Sequence, residues 1–178
     1  VRYSIDNPDA YLNSNIIGTY NVIKTANKVG VKHLIIGSSS SVYGANKKIP
    51  FQETDKTDHQ VSFYAATKKS TEILAHSYSS LWKLPITMLR FFTVYGPFGR
   101  PDMAYYKFTK NILEGKKIDL YGDGDLQRDF TYIDDIVEGI SKLIFEIPIK
   151  NQSKHSNATA PFDIFNIGNN NPIKILDF

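Results

Sequence analysis

The sequence predicts an α/β fold built on a parallel sheet. Two apolar runs, at residues 31–36 and 85–92, lack the alternation of a strand with one wet face, so both read as strands covered on two sides. Each follows a segment with helical spacing, and the order helix, strand, helix, strand is that of a parallel sheet with crossover helices. A hydroxyl-rich stretch, Ser38-Ser39-Ser40-Ser41, leaves the first run. In an open α/β sheet that is the carboxyl end of a strand, where ligands bind.

The elements follow from local signals. Asn7 caps the first helix and Pro8 takes its first position. Leu12, Ile16, Ile23 and Ala26 continue it with helical spacing, and Gly30 stops it. Ser62 caps a second helix running to about residue 82, with Leu74, Tyr78 and Leu81 on one face. After Phe92 the pattern loosens. Gly96-Pro97-Phe98-Gly99 and Pro101 mark a loop, and a helix is expected over 102–114. Residues 118–121 read as a strand and Gly122-Asp123-Gly124-Asp125 as a turn. That turn lacks the spacing and terminal glutamate of a calcium loop. Another helix starts near Asp134, with Ile136, Ile140, Leu143 and Ile144 at helical spacing. Residues 149–160 are polar and read as a surface loop, and 162–167 as a final strand. Both ends read as cut: the chain begins in mid-loop, and Lys174-Ile175-Leu176-Asp177-Phe178 read as the start of an amphipathic element. Two strong buried-type strands are too few for a doubly wound sheet, which has about five or six.

Composition bounds the function. The chain is 42% apolar and 13% aromatic, enough for a packed core. The net charge of +3 is small, and Lys47-Lys48, Lys68-Lys69 and Lys116-Lys117 are isolated pairs, so nucleic acid is not an expected partner. There is no cysteine, which excludes disulfides and thiolate chemistry, and the four histidines show no metal spacing. No apolar run approaches the ~20 residues that span a bilayer, and no signal-peptide pattern opens the chain. A cytoplasmic protein is expected, with the sequons at Asn151 and Asn157 read as chance.

Tyr64 and Lys68 stand at i and i+4, so one helix face carries a phenol and an amine. An ammonium nearby favours the phenolate, lowering a pKa that is otherwise about 10. Such a pair can act as general base and acid on an alcohol. Alone, Tyr-x-x-x-Lys also fits any surface helix. The serine run shifts that balance, because four hydroxyls at a strand end can hold the same alcohol.

Taken together, Ser39-Ser40-Ser41-Val42-Tyr43-Gly44, Tyr64-x-x-x-Lys68, Leu89-Arg90-Phe91-Phe92-Thr93-Val94-Tyr95-Gly96-Pro97, Arg128-Asp129-Phe130 and Phe165-Asn166-Ile167-Gly168 resemble, in order and spacing, the extended short-chain dehydrogenase/reductases of the nucleotide-sugar epimerase/dehydratase family. Val1-Arg2-Tyr3-Ser4 and the run from Arg90 to Met103 are most similar to UDP-glucuronate 4-epimerases. The resemblance implies the C-terminal part of a Rossmann-type parallel sheet over 1–93, and part of a small α/β substrate-binding domain over 94–178, with some segments returning to the first. It implies NAD as cofactor, a UDP-sugar as substrate and a homodimer for the full-length protein, through the helices at 8–29 and 62–82. Tyr64 would exchange the proton of the sugar 4-hydroxyl, and Lys68 would lower its pKa and bind the nicotinamide ribose. Ser39 would hydrogen-bond the 4-oxygen, with Ser40, Ser41 and Thr93 also facing substrate. Ser38 and Phe91 would meet the cofactor. Arg128 would grip the pyrophosphate, a role suited to a fixed fork of donors. Arg100, with Arg2 as a second candidate, would pair with a sugar carboxylate. Tyr105, Tyr106 and Phe108 could flank a uracil ring, though helical core packing is the better reading.

Dehydratases of the family carry an acidic pair after the catalytic Ser/Thr, whereas this chain has Ser40-Ser41, which favours epimerisation. Complete members also begin with a strand, a Gly-x-x-Gly-x-x-Gly turn and further βα units, on the order of 90 residues that are not in this sequence. The chain as written is therefore expected to hold NAD weakly. A truncated, non-catalytic product and a 4-epimerase of a neutral UDP-sugar are the alternatives.

Overall fold

A computed structural model of the chain describes residues 1–120, 126–152 and 159–178. The turn expected at 122–125, and residues 153–158, into which the polar loop and both sequons run, lie outside them. In chain order the elements are α1 (Tyr3–Asp6), α2 (Pro8–Tyr11), a π-helical segment (Leu12–Ile17), α3 (Gly18–Val29), β1 (Leu34–Ser39), a 3-10 turn (Ser40–Tyr43), α4 (Phe63–Trp82), β2 (Ile86–Phe91), β3 (Thr93–Tyr95), α5 (Ala104–Leu113), β4 (Gln127–Tyr132), α6 (Ile133–Leu143), β5 (Phe162–Ile167) and β6 (Pro172–Lys174). The chain divides into two units, Val1–Phe91 with Lys142–Asn166, and Phe92–Ser141 with Ile167–Phe178.

The first unit holds the expected α/β sheet. Its strand order is β1-β2-β5. β1 and β2 run parallel, in register from Leu34 opposite Ile86 to Ser39 opposite Phe91. β2 is buried from Ile86 to Arg90, whereas Leu34 to Ile36 of β1 are only half-buried, as befits a middle strand beside an outer one. The core joins Ile23 and Ala26 of α3, Ala75 of α4, Ile86 and Met88 of β2, and Phe162 and Ile164 of β5. The helix expected over 8–29 forms as α2, the π-helical segment and α3 end to end. Asn7 accepts the Ala10 N–H at 3.2 Å, Pro8 sits at the first position, and Gly30 ends α3 in the left-handed conformation. α4 begins as expected, with the Ser62 hydroxyl accepting the Ala65 N–H at 3.1 Å.

The second unit forms the helices expected over 102–114 and from near Asp134, as α5 and α6, and departs from expectation in its strands. Its sheet has the order β3-β4-β6, with β3 parallel and β6 antiparallel to β4. None of these strands carries a long apolar run: β4 is Gln-Arg-Asp-Phe-Thr-Tyr and starts exposed. Residues 118–120, expected as strand, have no regular structure. The amphipathic element expected at the end is β6 followed by a turn. α5 carries no fully buried residue, so Tyr105, Tyr106 and Phe108 do not form a closed core; Tyr106 stands 46% exposed.

Candidate active site

The serine run is built by a strand end that turns sharply. Ser39 is the last extended residue of β1, and its hydroxyl caps the 3-10 turn by accepting the Ser41 N–H at 3.1 Å. A hydroxyl has one donor and two acceptor sites, so the Ser39 O–H remains to donate. Ser40 and Ser41 lie half-buried within the turn. The Ser38 hydroxyl is buried and donates to Glu72 Oε1 at 2.7 Å. Gly44 closes the turn at φ +56°, and a Cβ there would fall 2.0 Å from the His59 carbonyl oxygen. A glycine is therefore what lets the His59 backbone come down onto this turn, where His59 accepts the Ala45 N–H at 3.0 Å.

Tyr64 and Lys68 lie in the first turns of α4. The Tyr64 N–H donates to Ser4 Oγ at 3.2 Å, and its ring meets Tyr11 edge-on at 5.9 Å. Lys68 Nζ donates to the Gly37 carbonyl at 2.7 Å, which brings the ammonium to the carboxyl end of β1, two residues before Ser39. Burial pushes the Lys68 pKa below its ordinary value, while the Glu72 carboxylate one helical turn on acts in the opposite sense. Phe91 stands opposite Ser39 in register, and its ring lies 3.3 Å from where a Gly37 Cβ would be. Arg2 opens α1, exposed and two residues before Ser4. Ser38, Ser39, Lys68 and Phe91 thus meet at the carboxyl ends of β1 and β2, with Tyr64 one turn before Lys68.

The remaining expected residues belong to the second unit. Thr93 opens β3 opposite Phe130. Arg100 is exposed, and its guanidinium donates to both oxygens of Asp102 at 2.9 and 2.5 Å. Those bonds hold the Asp102 carboxyl below its ordinary pKa. Arg128 is exposed on β4 and donates to the Gln127 carbonyl at 2.7 Å. Its neighbour Asp129 accepts the N–H groups of Asn170 and Asn171 at 3.0 and 3.2 Å, which ties the approach to β6 against β4.

A buried polar network underlies the serine turn, and sequence reasoning missed it. Arg90 of β2 donates from Nε to Glu72 Oε1 and from Nη2 to Oε2, both at 2.9 Å. Its Nη1 reaches the Tyr43 hydroxyl at 3.0 Å and the Glu53 carbonyl at 3.1 Å. Tyr43 donates onward to Asn166 Oδ1 at 2.7 Å and stacks on Phe51 at 4.4 Å. Burial raises the Tyr43 pKa despite Arg90, so the phenol stays protonated and can donate. Two signals were available. An arginine inside a strand buried on two faces demands an anionic partner, and Glu72 extends the Tyr64–Lys68 stripe by one further turn. A second missed contact, Asn15 Nδ2 to Thr67 Oγ1 at 2.9 Å, joins the π-helical segment to α4 and has no sequence signal, because a π-turn shifts the face expected of a 3.6-residue helix.

Comparison with known proteins agrees with the fold. The family profile described as "NAD dependent epimerase/dehydratase family" matches residues 1–168. The chain is 51% identical over 185 residues to "Protein CapI" of Staphylococcus aureus, covering 100% of this chain and 55% of that protein. It is 49% identical over 185 residues to "Probable UDP-glucuronate 4-epimerase" of Rhizobium meliloti (strain 1021), covering 100% and 54%. Among solved structures it superposes on UDP-glucuronic acid 4-epimerase from Bacillus cereus, solved in complex with UDP-glucuronic acid and NAD, with a TM-score of 0.78 and 34% identity over 93% of this chain and 49% of that one. The chain spans about half the length of the curated relatives it matches.

Proposed function

This chain belongs to the NAD dependent epimerase/dehydratase family, and on that premise we propose that it supplies the acid–base and substrate-holding part of a NAD-dependent UDP-sugar 4-epimerase, acting on UDP-glucuronate. The observation that carries this reading is the Lys68–Gly37 bond, which sets a helix bearing Tyr64 at the carboxyl end of β1, where Ser39 begins the turn.

The residues present fit the nicotinamide half of NAD. Lys68 has three donors, of which one serves the Gly37 carbonyl, leaving two for a ribose diol. When bound there, NAD would supply a hydride acceptor and donor for the sugar C4. Tyr64 takes the proton of the 4-hydroxyl and returns it to O4 once the 4-keto sugar has turned over. Lys68 stands one helical turn beyond Tyr64, and the free O–H of Ser39 donates to O4. With Ser40 and Ser41 where an acidic pair would drive elimination, the ketone is reduced again rather than dehydrated. Arg128, on exposed β4, offers a fork to the pyrophosphate. For the glucuronate carboxylate we propose Arg100. Its present partner is exposed, and exposed ion pairs are worth about 0–1 kcal/mol, so a substrate carboxylate can replace Asp102 at little cost.

The test is full-length protein assayed with UDP-glucuronate and UDP-glucose side by side. Turnover of glucuronate is expected. Turnover of glucose alone would overturn the substrate, and a Tyr64→Phe variant of unchanged kcat would overturn the mechanism. We also propose a homodimer through the helices at 8–29 and 62–82, supported by exposed Val22 and Val29 on the first and Ile73, Leu81 and Trp82 on the second. Light scattering on the full-length protein checks it, and a monomer would refute it.

A further inference from the structure

Glu72 is a buried carboxylate that the proposed reaction does not use. It accepts four hydrogen bonds, from Arg90 Nε and Nη2, Ser38 Oγ and Lys69 Nζ, the last at 3.3 Å. A carboxylate has about four acceptor sites, so this one is saturated. It lies on α4 one turn beyond Lys68 and two turns beyond Tyr64, on the same stripe. Its partner Ser38 is paired in register with Arg90 and follows Gly37, whose carbonyl holds Lys68. Glu72 and Lys68 are therefore anchored on adjacent residues of one strand end.

We propose that Glu72 is a positioning residue that keeps Lys68 in its ammonium form against the end of β1, with Arg90 as the counter-ion that makes the buried carboxylate tolerable. This rests on the reading of Tyr64 and Lys68 as the acid–base pair. A half-buried ammonium bonded to one carbonyl is costly unless negative charge stands near it. Glu72 supplies that charge. Burial alone would push the Glu72 carboxyl up, but Arg90, Ser38 and Lys69 outweigh it and hold it below its ordinary value, so it stays ionised.

Among the described residues, other titratable groups on the elements around Lys68 are these. Arg90 comes from β2, the Tyr43 phenol from the 3-10 turn, and Lys69 and Tyr64 from α4 itself. Glu53 reaches the network through its bond to the Asn166 N–H at 2.8 Å. β1 and the π-helical segment supply no titratable side chain. α2 supplies Tyr11, beside Tyr64. Asp6, Asp9, Lys24 and Lys28, on the helices that also pack on α4, are exposed. Removing the Glu72 charge leaves Lys68 facing two cations, Arg90 and Lys69.

Two variants of the full-length enzyme, read by the pH dependence of kcat, test this in opposite directions. Glu72→Gln takes away the anion and should move the profile to lower pH by about half a unit or more. Lys69→Met takes away a cation at a site that is 25% exposed, so the variant should fold, and it should move the profile to higher pH. A residue with a structural role alone would lower kcat without moving the profile. Opposite shifts support the inference; profiles that stay in place in both variants overturn it. If Glu72→Gln does not fold, Lys69→Met decides alone, an upward shift supporting the inference and none overturning it. Failure of the underlying reading is separate: it would show as a Lys68→Met enzyme with undiminished kcat.

Discussion

Lys68, proposed as one half of the acid–base pair, shows at the scale of a single residue how such a side chain would differ from a structural one. Its burial disfavours the ammonium, and one carbonyl bond and one carboxylate offset only part of that cost. Lys68→Met should therefore lower kcat by about 10²-fold or more while leaving the melting temperature unchanged or raised. The pH dependence of stability carries the same signature. A lysine whose folded pKa is depressed binds fewer protons than the unfolded chain between that value and its ordinary 10.5, so stability rises with pH across the interval. Urea midpoints of the parent should show that rise, and those of the Met variant should lack it. Gly44 is the opposite kind of residue. At φ +56° with the His59 carbonyl where a Cβ would go, Gly44→Ala must strain the backbone and displace the loop that covers the turn. A loss of about 1–3 kcal/mol is expected from the urea midpoint.

At the scale of elements, α4 was legible because three local signals coincide on it. Ser62 caps it, Leu74, Tyr78 and Leu81 recur at helical spacing, and Tyr64 and Lys68 stand one turn apart, although the face it buries is made of Ala65, Thr67, Thr71, Glu72, Ala75 and Ser79 and Leu81 is exposed. Ser62→Ala removes the bond to the Ala65 N–H and should cost about 1 kcal/mol, measurable as a lowered melting temperature with kcat little changed. β1 and β2 were legible for another reason: Leu34-Ile35-Ile36 and Met88-Leu89 lack the alternation of a strand with one wet face, although β1, as an outer strand, is only half-buried there. The strands of the second unit carry no such run. β3 and β6 are three residues each, and β4 pairs by backbone with side chains half in water, so their partners, not their composition, make them strands. The site divides the same way. The roles proposed for Ser39, Tyr64 and Lys68 follow from their residue types and spacing. Glu72 and Arg90 become a pair only when α4 is laid across β2, and Ser38 shows its role only once Glu72 is seen to take its hydroxyl.

At the scale of the molecule, the Glu72–Arg90 pair links the parts of the first unit that the proposed site depends on. It ties α4 to β2, to β1 through Ser38, and to the 3-10 turn and β5 through Tyr43 and Asn166. Breaking one side of such a pair leaves an uncompensated buried charge. Glu72→Ala should therefore cost about 3–5 kcal/mol, whereas replacing both partners by methionine should be close to neutral. Acid tests the same bond in the unaltered protein. The folded Glu72 pKa lies below its ordinary 4.5, so the unfolded chain takes up the proton first as pH falls. The stability this group supplies is complete well above pH 4.5, declines below it, and is gone once pH has passed through the folded value. Glu72→Met/Arg90→Met lacks the group, so its urea midpoint should fall less steeply than the parent's between pH 6 and pH 3. Parallel declines in the two proteins would mean that other carboxylates, and not this pair, set the acid limit of the fold.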